Sequence, residues 1–257
     1  MSLPLVWTIS NAFKPLNELF IFPPQFFVRH PTLNNFYELF TLMAKSWIPM
    51  SRYFANSLFI VGMGTLGNLL FGSLAAYVLS KHDFPGKKLF NELIVLSLMF
   101  AGAVTLLPNY LSMSLLGWID THAAIIVPAW GSTLGLYLMK NFIDAMVHDA
   151  LLDAAKIDGA SEFQTYYRVV MPIVKPAWLT LVILSFQQLW GTSGDMFLYS
   201  EELKPLPYAL NQIVGGGVGR AGVAAAVTVI LILVPITVFI INQSKIVQTM
   251  GTSGITG

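Results

Sequence analysis

Residues 221–241 read AGVAAAVTVILILVPITVFII and contain no charged side chain. A transmembrane helix needs about 20 mostly apolar residues, so this stretch predicts a membrane span. Pro128 and Gly131 interrupt a second apolar stretch, which predicts a kink inside a helix bundle. The stretches that share this length and apolar character are residues 54–80, 89–107 and 123–139.

Two shorter stretches complete the predicted bundle. Residues 177–190 are apolar but short, and they become long enough if Pro172 to Pro176 form the first helical turn, where proline is tolerated. Residues 1–10 are apolar but only half as long as a span requires, and they lack the charged leader of a secretory signal. We interpret them as the outer half of a helix whose beginning is missing or short. A segment lying at the membrane interface is the alternative.

The composition supports this interpretation. Of the 257 residues, 55% are hydrophobic and only 11% are charged, whereas soluble domains carry about 25% charged residues. So few charges cannot cover a water-facing surface, and a surface that meets lipid needs no such cover. The sequence therefore predicts an all-α integral membrane protein with residues 1–257 as one transmembrane domain. We expect a bundle of about six transmembrane helices, the first of them truncated at the N-terminus.

Several classes of function are disfavoured by the same composition. A net charge of +1 argues against a nucleic-acid-binding protein. The absence of cysteine excludes disulfides and cysteine-ligated metal sites. The four histidines lie far apart in the sequence, so we predict no metal site, and no acid–base constellation indicates catalytic residues. A self-contained secondary transporter would need ionisable residues along an ion path, and the predicted spans contain almost none.

The lysines and arginines give a weak indication of orientation, because cytoplasmic loops are enriched in them. If residues 81–88 face the cytoplasm, residues 140–175 and the C-terminal tail do so as well. The cytoplasmic side then carries more of the 14 lysines and arginines than the opposite side, and those on the cytoplasmic side lie in shorter segments. The predicted orientation therefore places the long polar segment on the cytoplasmic side.

This polar segment, residues 140–176, holds a third of the charges of the chain in a small part of its length. Asp149 and Asp153 stand near the start of a run rich in alanine and leucine, where negative charge favours a helix N-terminus. Gly159 after Asp158 predicts the end of that helix. Ser161 with Gln164 forms the pattern of a capping box, which predicts the start of a second helix.

The segment is therefore predicted to be a helix-turn-helix outside the membrane. Apolar side chains are interspersed with its acids, and two interpretations remain open. It is either a solvated loop that packs against its own bundle or a compact surface on which a soluble partner docks. The capped and ordered features favour the second interpretation, because a plain linker needs none of them.

Asp153-Ala154-Ala155, Gly159, and Met171-Pro172 reproduce the spacing of the EAA loop. The chain thereby resembles the permease subunits of binding-protein-dependent ABC importers. Residues 153–160 are especially similar to the carbohydrate-uptake branch, whose members resemble the maltose importer. Two departures are mild, since Asp153 stands where the family has glutamate and Met171 where it has leucine.

The resemblance extends beyond the loop. The matching pieces include an external segment after the first helix, parts of the next helix, and a tail similar to that of oligosaccharide permeases in Gram-positive bacteria. They are Phe13-Lys14-Pro15, Pro23-Pro24, residues 31–36, Asn56-Ser57-Leu58, residues 75–78 and residues 248–257.

The resemblance implies a role for residues 149–172 as the cytoplasmic coupling loop that binds an ATPase subunit. The residues to which it assigns ATPase coupling are Asp153, Ala154, Ala155, Ile157, Asp158, Gly159, Ala160, Phe163 and Pro172. It also implies four partners, which are a second homologous permease subunit, a cytoplasmic ATPase dimer, an extracellular sugar-binding protein and membrane lipid. The expected location is the bacterial plasma membrane, with several passes through it.

The resemblance implies that the cargo is a sugar and foremost an oligosaccharide, with a polyol or sugar phosphate as the alternative. The chain has no GxxxxGK[ST] phosphate-binding loop. We therefore expect no cofactor and no enzymatic activity in this chain, with ATP and magnesium bound by the partner ATPase.

Gln187, Gln188 and Trp190 are candidates for the solute path, because amides and an indole suit sugar hydroxyls and sugar faces. Polar groups within spans usually face the bundle interior, and ordinary interhelical hydrogen bonding is the alternative. Asn109 is a weaker candidate of the same kind. The run Gly215-Gly216-Gly217-Val218-Gly219 follows no strand, so we interpret it as a flexible loop rather than a phosphate site.

Overall fold

The computed structural model describes residues 3–100, 102–215 and 217–253, and for residues 103, 218 and 242–253 it describes the backbone alone. Met1, Gly216 and the last four residues of the family-like tail lie outside these ranges. Within them every regular element is a helix. A π-helix covers Tyr166–Val170, and 3₁₀ turns cover Glu201–Leu203 and Val218–Arg220. The α-helices are α1 (Leu3–Ala12), α2 (Leu16–Leu19), α3 (Asn34–Ala44), α4 (Met50–Lys81), α5 (Lys87–Leu98), α6 (Gly102–Leu115), α7 (Ala123–Trp130), α8 (Thr133–Met146), α9 (Asp149–Ile157), α10 (Glu162–Thr165), α11 (Met171–Ile173), α12 (Lys175–Trp190), α13 (Leu206–Val214) and α14 (Ala221–Ser253).

Three helical stretches in the described residues are long and apolar enough to cross a membrane. They are Met50–Lys81, Ala123–Met146 and Ala221–Ile241. These stretches confirm the predicted spans over residues 54–80, 123–139 and 221–241. The predicted interruption of the middle stretch is also present, because α7 ends at Trp130 and Ser132 caps the start of α8.

The predicted span over residues 89–107 is wrong as a single helix. Helix α5 has 12 residues and ends at Leu98, and α6 has 14 residues and begins at Gly102. Glycine destabilises a helix interior. The Ser97 hydroxyl donates to the carbonyl of Ile94, a side-chain bond of the kind that competes with helical backbone bonding. The apolar run thus contains a local break that hydropathy does not report.

The prediction that Pro172 to Pro176 form the first turn of the following span is also wrong. Helix α12 begins at Lys175, and its axis is bent by 83° from the preceding helical stretch Glu162–Ile173. Pro176 has no N–H with which to bond the carbonyl four residues earlier, so one helical hydrogen bond is missing where the helix bends. Pro172 therefore lies on the other side of the bend, in α11.

The chain divides into two compact units, residues 1–59 with 190–237 and residues 60–189 with 238–257. In the first unit, Lys14 is almost fully buried. Its Nζ donates to Asn11 Oδ1 at 2.8 Å and to the carbonyl of Gln25, and it lies 4.5 Å from the ring centroid of Trp7. Asn35 Nδ2 donates to the carbonyl of Lys14 at 2.8 Å. These contacts compensate a buried charge that would otherwise be costly.

The first unit also contains the beginning of α4, where two side chains hold a distant backbone segment. Asn56 Nδ2 donates to the carbonyls of Glu202 and Lys204 at 2.8 and 3.0 Å. The backbone N–H of Leu206 donates to Ser57 Oγ at 2.7 Å. The Asn-Ser pair that resembles the family therefore has a structural role, which is to fix the segment that leads into α13.

The second unit has a core to which α4, α8, α9 and α12 all contribute. Its buried residues also include side chains from the π-helix, so the polar segment shares this core with the membrane helices. They are Ala76, Tyr77, Met139, Ile143, Val147, Leu152, Tyr166, Val170, Val174, Ala177 and Leu181.

Close packing between α4 and α7 depends on a glycine. Trp130 Nε1 donates to the carbonyl of Met63 at 3.1 Å, and its ring centroid lies 5.2 Å from that of Phe71. A Cβ atom built on Gly67 would lie 2.0 Å from Trp130 Nε1. Gly62, on the same helix, has open space at its Cβ position. Only Gly67 is therefore required by the packing of α4 against Trp130.

We expect Gly67→Ala to lower the free energy of unfolding by about 1–3 kcal/mol, because the new methyl group displaces the Trp130 ring. Gly62→Ala is the matched control and should leave stability unchanged or raise it by about 0.5–1 kcal/mol. Thermal unfolding of the detergent-solubilised protein measures both. Equal melting temperatures for the two variants would contradict the packing described here.

Candidate functional site

The segment of residues 149–172 begins with α9, which carries Asp149 in its first turn and Lys156 in its last turn. The helix ends where the sequence predicts, with Asp158 at the C-cap and Gly159 in the left-handed conformation, at φ +77°. The Ala160 N–H donates to the carbonyl of Ala155 at 3.0 Å and closes the turn. A Cβ on Gly159 would meet no atom of the chain within 4 Å, so the backbone conformation alone favours glycine here.

The predicted capping box starts α10. Ser161 Oγ accepts from the Gln164 N–H at 3.3 Å, and Gln164 Oε1 accepts from the Ser161 N–H at 2.9 Å. The π-helix Tyr166–Val170 follows at once and leads to Pro172 in α11. The segment is therefore an ordered pair of helices around a tight turn.

The residues proposed for coupling lie mostly on the surface of this segment. Ile157 is 86% exposed and Phe163 is 69% exposed. Ala155 is buried, and together with Leu152 it forms the buried face of α9. Ala160 is partly buried, and the exposed members of the set are Asp153, Ala154, Ile157, Asp158, Gly159, Phe163 and Pro172.

This surface combines large exposed apolar side chains with exposed carboxylates. Ile157 and Phe163 lie on either side of the turn at Gly159, and Asp153 and Asp158 lie on the same segment. Exposed apolar side chains rimmed by polar residues mark interaction surfaces. Chemically, the arrangement can bury two apolar groups in a partner and pair its acids with basic side chains.

The segment is tied to the end of α4 by polar contacts. Lys81 Nζ lies 2.9 Å from Asp149 Oδ1. Glu162 Oε2 accepts from Tyr77 Oη at 3.0 Å and lies 3.4 Å from His82 Nε2. The hydrogen bond from Lys81 and its positive charge lower the pKa of the Asp149 carboxyl below its ordinary value. Sequence reasoning missed these anchoring residues, because no local pattern links positions that are 68 to 85 residues apart.

The candidates for the solute path lie in different places. Gln187 and Gln188 are exposed on α12, and Asn109 is exposed on α6 directly after Pro108. Trp190 is 3% exposed, and its Nε1 donates to the carbonyl of Leu231 at 3.0 Å. For Trp190 the structure thus shows the interhelical hydrogen bond that the sequence left open as an alternative.

The remaining sequence candidates are a metal site and the glycine run of residues 215–219. Among the described residues no group of three or more His, Asp or Glu side chains could hold a metal ion. In the glycine run, Gly215 caps α13 and Gly217 has a φ of +89°. A 3₁₀ turn over Val218–Arg220 then precedes α14.

Comparison with known proteins places this architecture in a family. Residues 68–249 match the family described as "Binding-protein-dependent transport system inner membrane component". The galactooligosaccharides transport system permease protein GanQ of Bacillus subtilis is 29% identical over 99% of this chain and 90% of its own length. The arabinooligosaccharides transport system permease protein AraQ of Halalkalibacterium halodurans is 26% identical over 99% and 91%.

A solved structure shares the fold. It is a bacterial ABC transporter involved in the import of the acidic polysaccharide alginate, and one of its chains superposes with a TM-score of 0.79 at 22% identity. The match covers 95% of this chain and 90% of that chain. The resemblance noted in the sequence is confirmed, because the family match covers most of the chain. The chain belongs to the inner membrane components of binding-protein-dependent transport systems.

Proposed function

We propose that the chain is one half of the translocation path of an ATP-driven sugar importer, and that the sugar is an oligosaccharide. Membership of a binding-protein-dependent family supports an extracellular sugar-binding protein as a partner. Two relatives that align over nearly the whole chain are named for galactooligosaccharides and arabinooligosaccharides, which supports the cargo class. A polyol or sugar phosphate is the alternative cargo.

In this proposal a second, homologous permease subunit supplies the other half of the path, and lipid covers the outer apolar faces. The bundle has about six spans. They are α1, the α5–α6 pair, α12 and the three long stretches already identified. Residues 82–86 and 147–174 lie on the cytoplasmic side, in agreement with the distribution of lysine and arginine.

The observation that carries the proposal is the exposure of Ile157 and Phe163 beside the left-handed turn at Gly159. Fully burying such a side chain in a partner gains about 1.5–3 kcal/mol. Asp153 and Asp158 can pair with basic groups, which fixes register more than it adds affinity. A rigid, capped surface of this kind suits a socket on a cytoplasmic ATPase subunit.

The residues proposed for the ATPase contact differ in how far their side chains are exposed. Ala155 supports α9 from its buried face, and the other eight residues form or flank the contact. The set is Asp153, Ala154, Ala155, Ile157, Asp158, Gly159, Ala160, Phe163 and Pro172. ATP and magnesium belong to the ATPase dimer. Closure of that dimer around ATP would draw together two such segments, one from each permease subunit, and reorient the bundle.

The solute path is proposed to run past the amides of α12 and α6. Gln187, Gln188 and Asn109 offer donors and acceptors for sugar hydroxyls, and all three side chains are exposed in the chain alone. Trp190 takes a supporting role in this proposal, because its N–H is already bonded to the carbonyl of Leu231. The amides select for hydroxyl-rich solutes rather than for ions.

Gly159→Asn tests the ATPase contact. Asparagine tolerates the left-handed conformation, so the turn should persist while the new side chain enters the contact. We expect the yield of co-purified ATPase to fall by about tenfold, the effect of about 1.4 kcal/mol. The measurement is affinity purification of this chain followed by mass spectrometry for a protein with a phosphate-binding loop.

Gly117→Asn is the matched control. Gly117 also has a positive φ, +67°, and open space at its Cβ, but it follows α6 on the opposite side in the proposed topology. Its variant should retain the ATPase at the wild-type level. Full retention of the ATPase by Gly159→Asn, together with unchanged uptake, would refute the docking assignment.

Gln187→Leu and Gln188→Leu test the solute path. Each should reduce uptake of a radiolabelled galactooligosaccharide by about two- to tenfold, the effect of one lost hydrogen bond. The amount of co-purified ATPase should not change. Leu184→Ala, at another exposed position on α12, is the control and should transport normally. Wild-type uptake by both glutamine variants would remove these residues from the path.

A further inference from the structure

The end of α4 contacts the segment of residues 149–172 on both sides of the turn at Gly159. Before the turn, Lys81 Nζ lies 2.9 Å from Asp149 Oδ1. After the turn, Glu162 Oε2 accepts from Tyr77 Oη at 3.0 Å and pairs with His82 Nε2 at 3.4 Å when that ring is protonated. We use the name α4 clamp for the residues that make these contacts and the buried contacts beneath them. They are Ser73, Tyr77, Lys81, His82, Asp149, Glu162 and Tyr166.

The inner layer of the α4 clamp is buried. Ser73 is 0%, Tyr77 5% and Tyr166 6% exposed. Ser73 Oγ and Tyr166 Oη are 2.7 Å apart. The Ser73 hydroxyl also donates to the carbonyl of Leu69, so the Tyr166 hydroxyl is the donor to Ser73. Hydrogen bonds in a low-dielectric interior are stronger than in water, and breaking one leaves a costly unpaired group.

Aromatic contacts complete this layer. The rings of Tyr77 and Tyr166 have centroids 5.7 Å apart, and the ring of His82 meets Tyr77 edge-on at 5.2 Å. Phe163 lies 6.1 Å from Tyr166 by ring centroids, so the buried layer reaches a side chain of the exposed surface. A continuous chain of contacts therefore runs from the proposed ATPase contact to α4.

The backbone at Tyr166 has an unusual form. Tyr166 opens the π-helix Tyr166–Val170, and its carbonyl accepts the N–H of Met171, five residues on. π-Helical turns are rare and occur frequently at functional sites. This turn occurs at the residue whose hydroxyl meets Ser73.

The outer ion pairs contribute less than the buried layer. The Asp149 side chain is 81% exposed and that of Glu162 is 57% exposed. Ion pairs at this exposure are screened by solvent and contribute little to stability. A second contact at the same end joins Ser80 to Asp144 of α8, and Lys140 pairs with that carboxylate at 2.7 Å. The attachment of α4 to the segment therefore depends mainly on Ser73, Tyr77 and Tyr166.

We propose that Ser73, Tyr77 and Tyr166 are positioning residues for energy coupling, and that they make the end of α4 move as one piece with residues 149–172. The proposal rests on the proposed function of that segment as the ATPase contact. Motion of the segment then reaches the membrane directly through α4, a helix of 32 residues. The ATPase contact and the α4 clamp are separate surfaces and can be tested separately.

The first test removes single hydroxyl groups in the purified, reconstituted importer complex. Tyr166→Phe, Ser73→Ala and Tyr77→Phe keep the packing volume nearly unchanged, so assembly with the ATPase should be normal. Galactooligosaccharide uptake per ATP hydrolysed should fall by about two- to tenfold. Ser73→Ala combined with Tyr166→Phe should be no worse than the stronger single change, because both remove the same bond.

Tyr137→Phe, on α8 and outside the α4 clamp, is the control and should leave uptake per ATP unchanged. A loss of uptake accompanied by an equal loss of ATPase activity or assembly would show a merely structural role. An unchanged ratio in all three clamp variants would overturn the proposal.

The second test uses the absence of cysteine in this chain. Lys81→Cys with Asp149→Cys allows a short bis-methanethiosulfonate reagent to link the end of α4 to α9, and a reductant reverses the link. We expect linked complexes to transport at least as well as unlinked ones, because the two elements move together. Transport that stops on linking and returns on reduction would overturn the proposal. Failure of the ATPase contact itself would instead appear in Gly159→Asn, which leaves the α4 clamp intact.

Discussion

Hydrocarbon offers no hydrogen-bonding partner to a peptide group, and this constraint determines the organisation of the chain. The described residues meet it with helices alone. Where a helix is interrupted, local groups compensate. Ser132 accepts the N–H of Gly135 at the start of α8, and proline without an N–H stands at the start of α12. The break at Gly131 is therefore tolerated within an otherwise apolar bundle.

The same constraint explains the position of the polar residues. Charged groups are scarce, at 11% of the chain, and a third of them lie in residues 140–176, which include the segment between α8 and α12. That segment nevertheless exposes Ile157 and Phe163, while its buried face joins the core of α4 and α8. One face is thus integrated with the membrane helices and the other is free for a partner. This division suits the role proposed for the segment as the contact of a cytoplasmic ATPase.

Local features of the fold could be predicted from the sequence. The end of α9 at Gly159 and the capping box at Ser161 depend on residues within one helical turn, and both are present. The break between α5 and α6 was missed, because the residues around it are as apolar as a continuous span. The bond between Tyr77 and Glu162 could not be predicted, because it joins positions 85 apart that meet only through tertiary packing. The surface of the candidate site was therefore predictable, and its attachment to α4 was not.

Site-specific photo-cross-linking from the tip of the segment tests the proposed ATPase contact most directly. Ile157→Cys in this cysteine-free chain, labelled with a benzophenone maleimide in membranes that contain the active importer, places the probe at an 86% exposed position. We expect a cross-linked product with the ATPase subunit. Leu115→Cys, at an 89% exposed position at the end of α6, should give no such product. Active complexes in which the probe at position 157 never captures the ATPase would contradict the assignment of this segment as the ATPase contact.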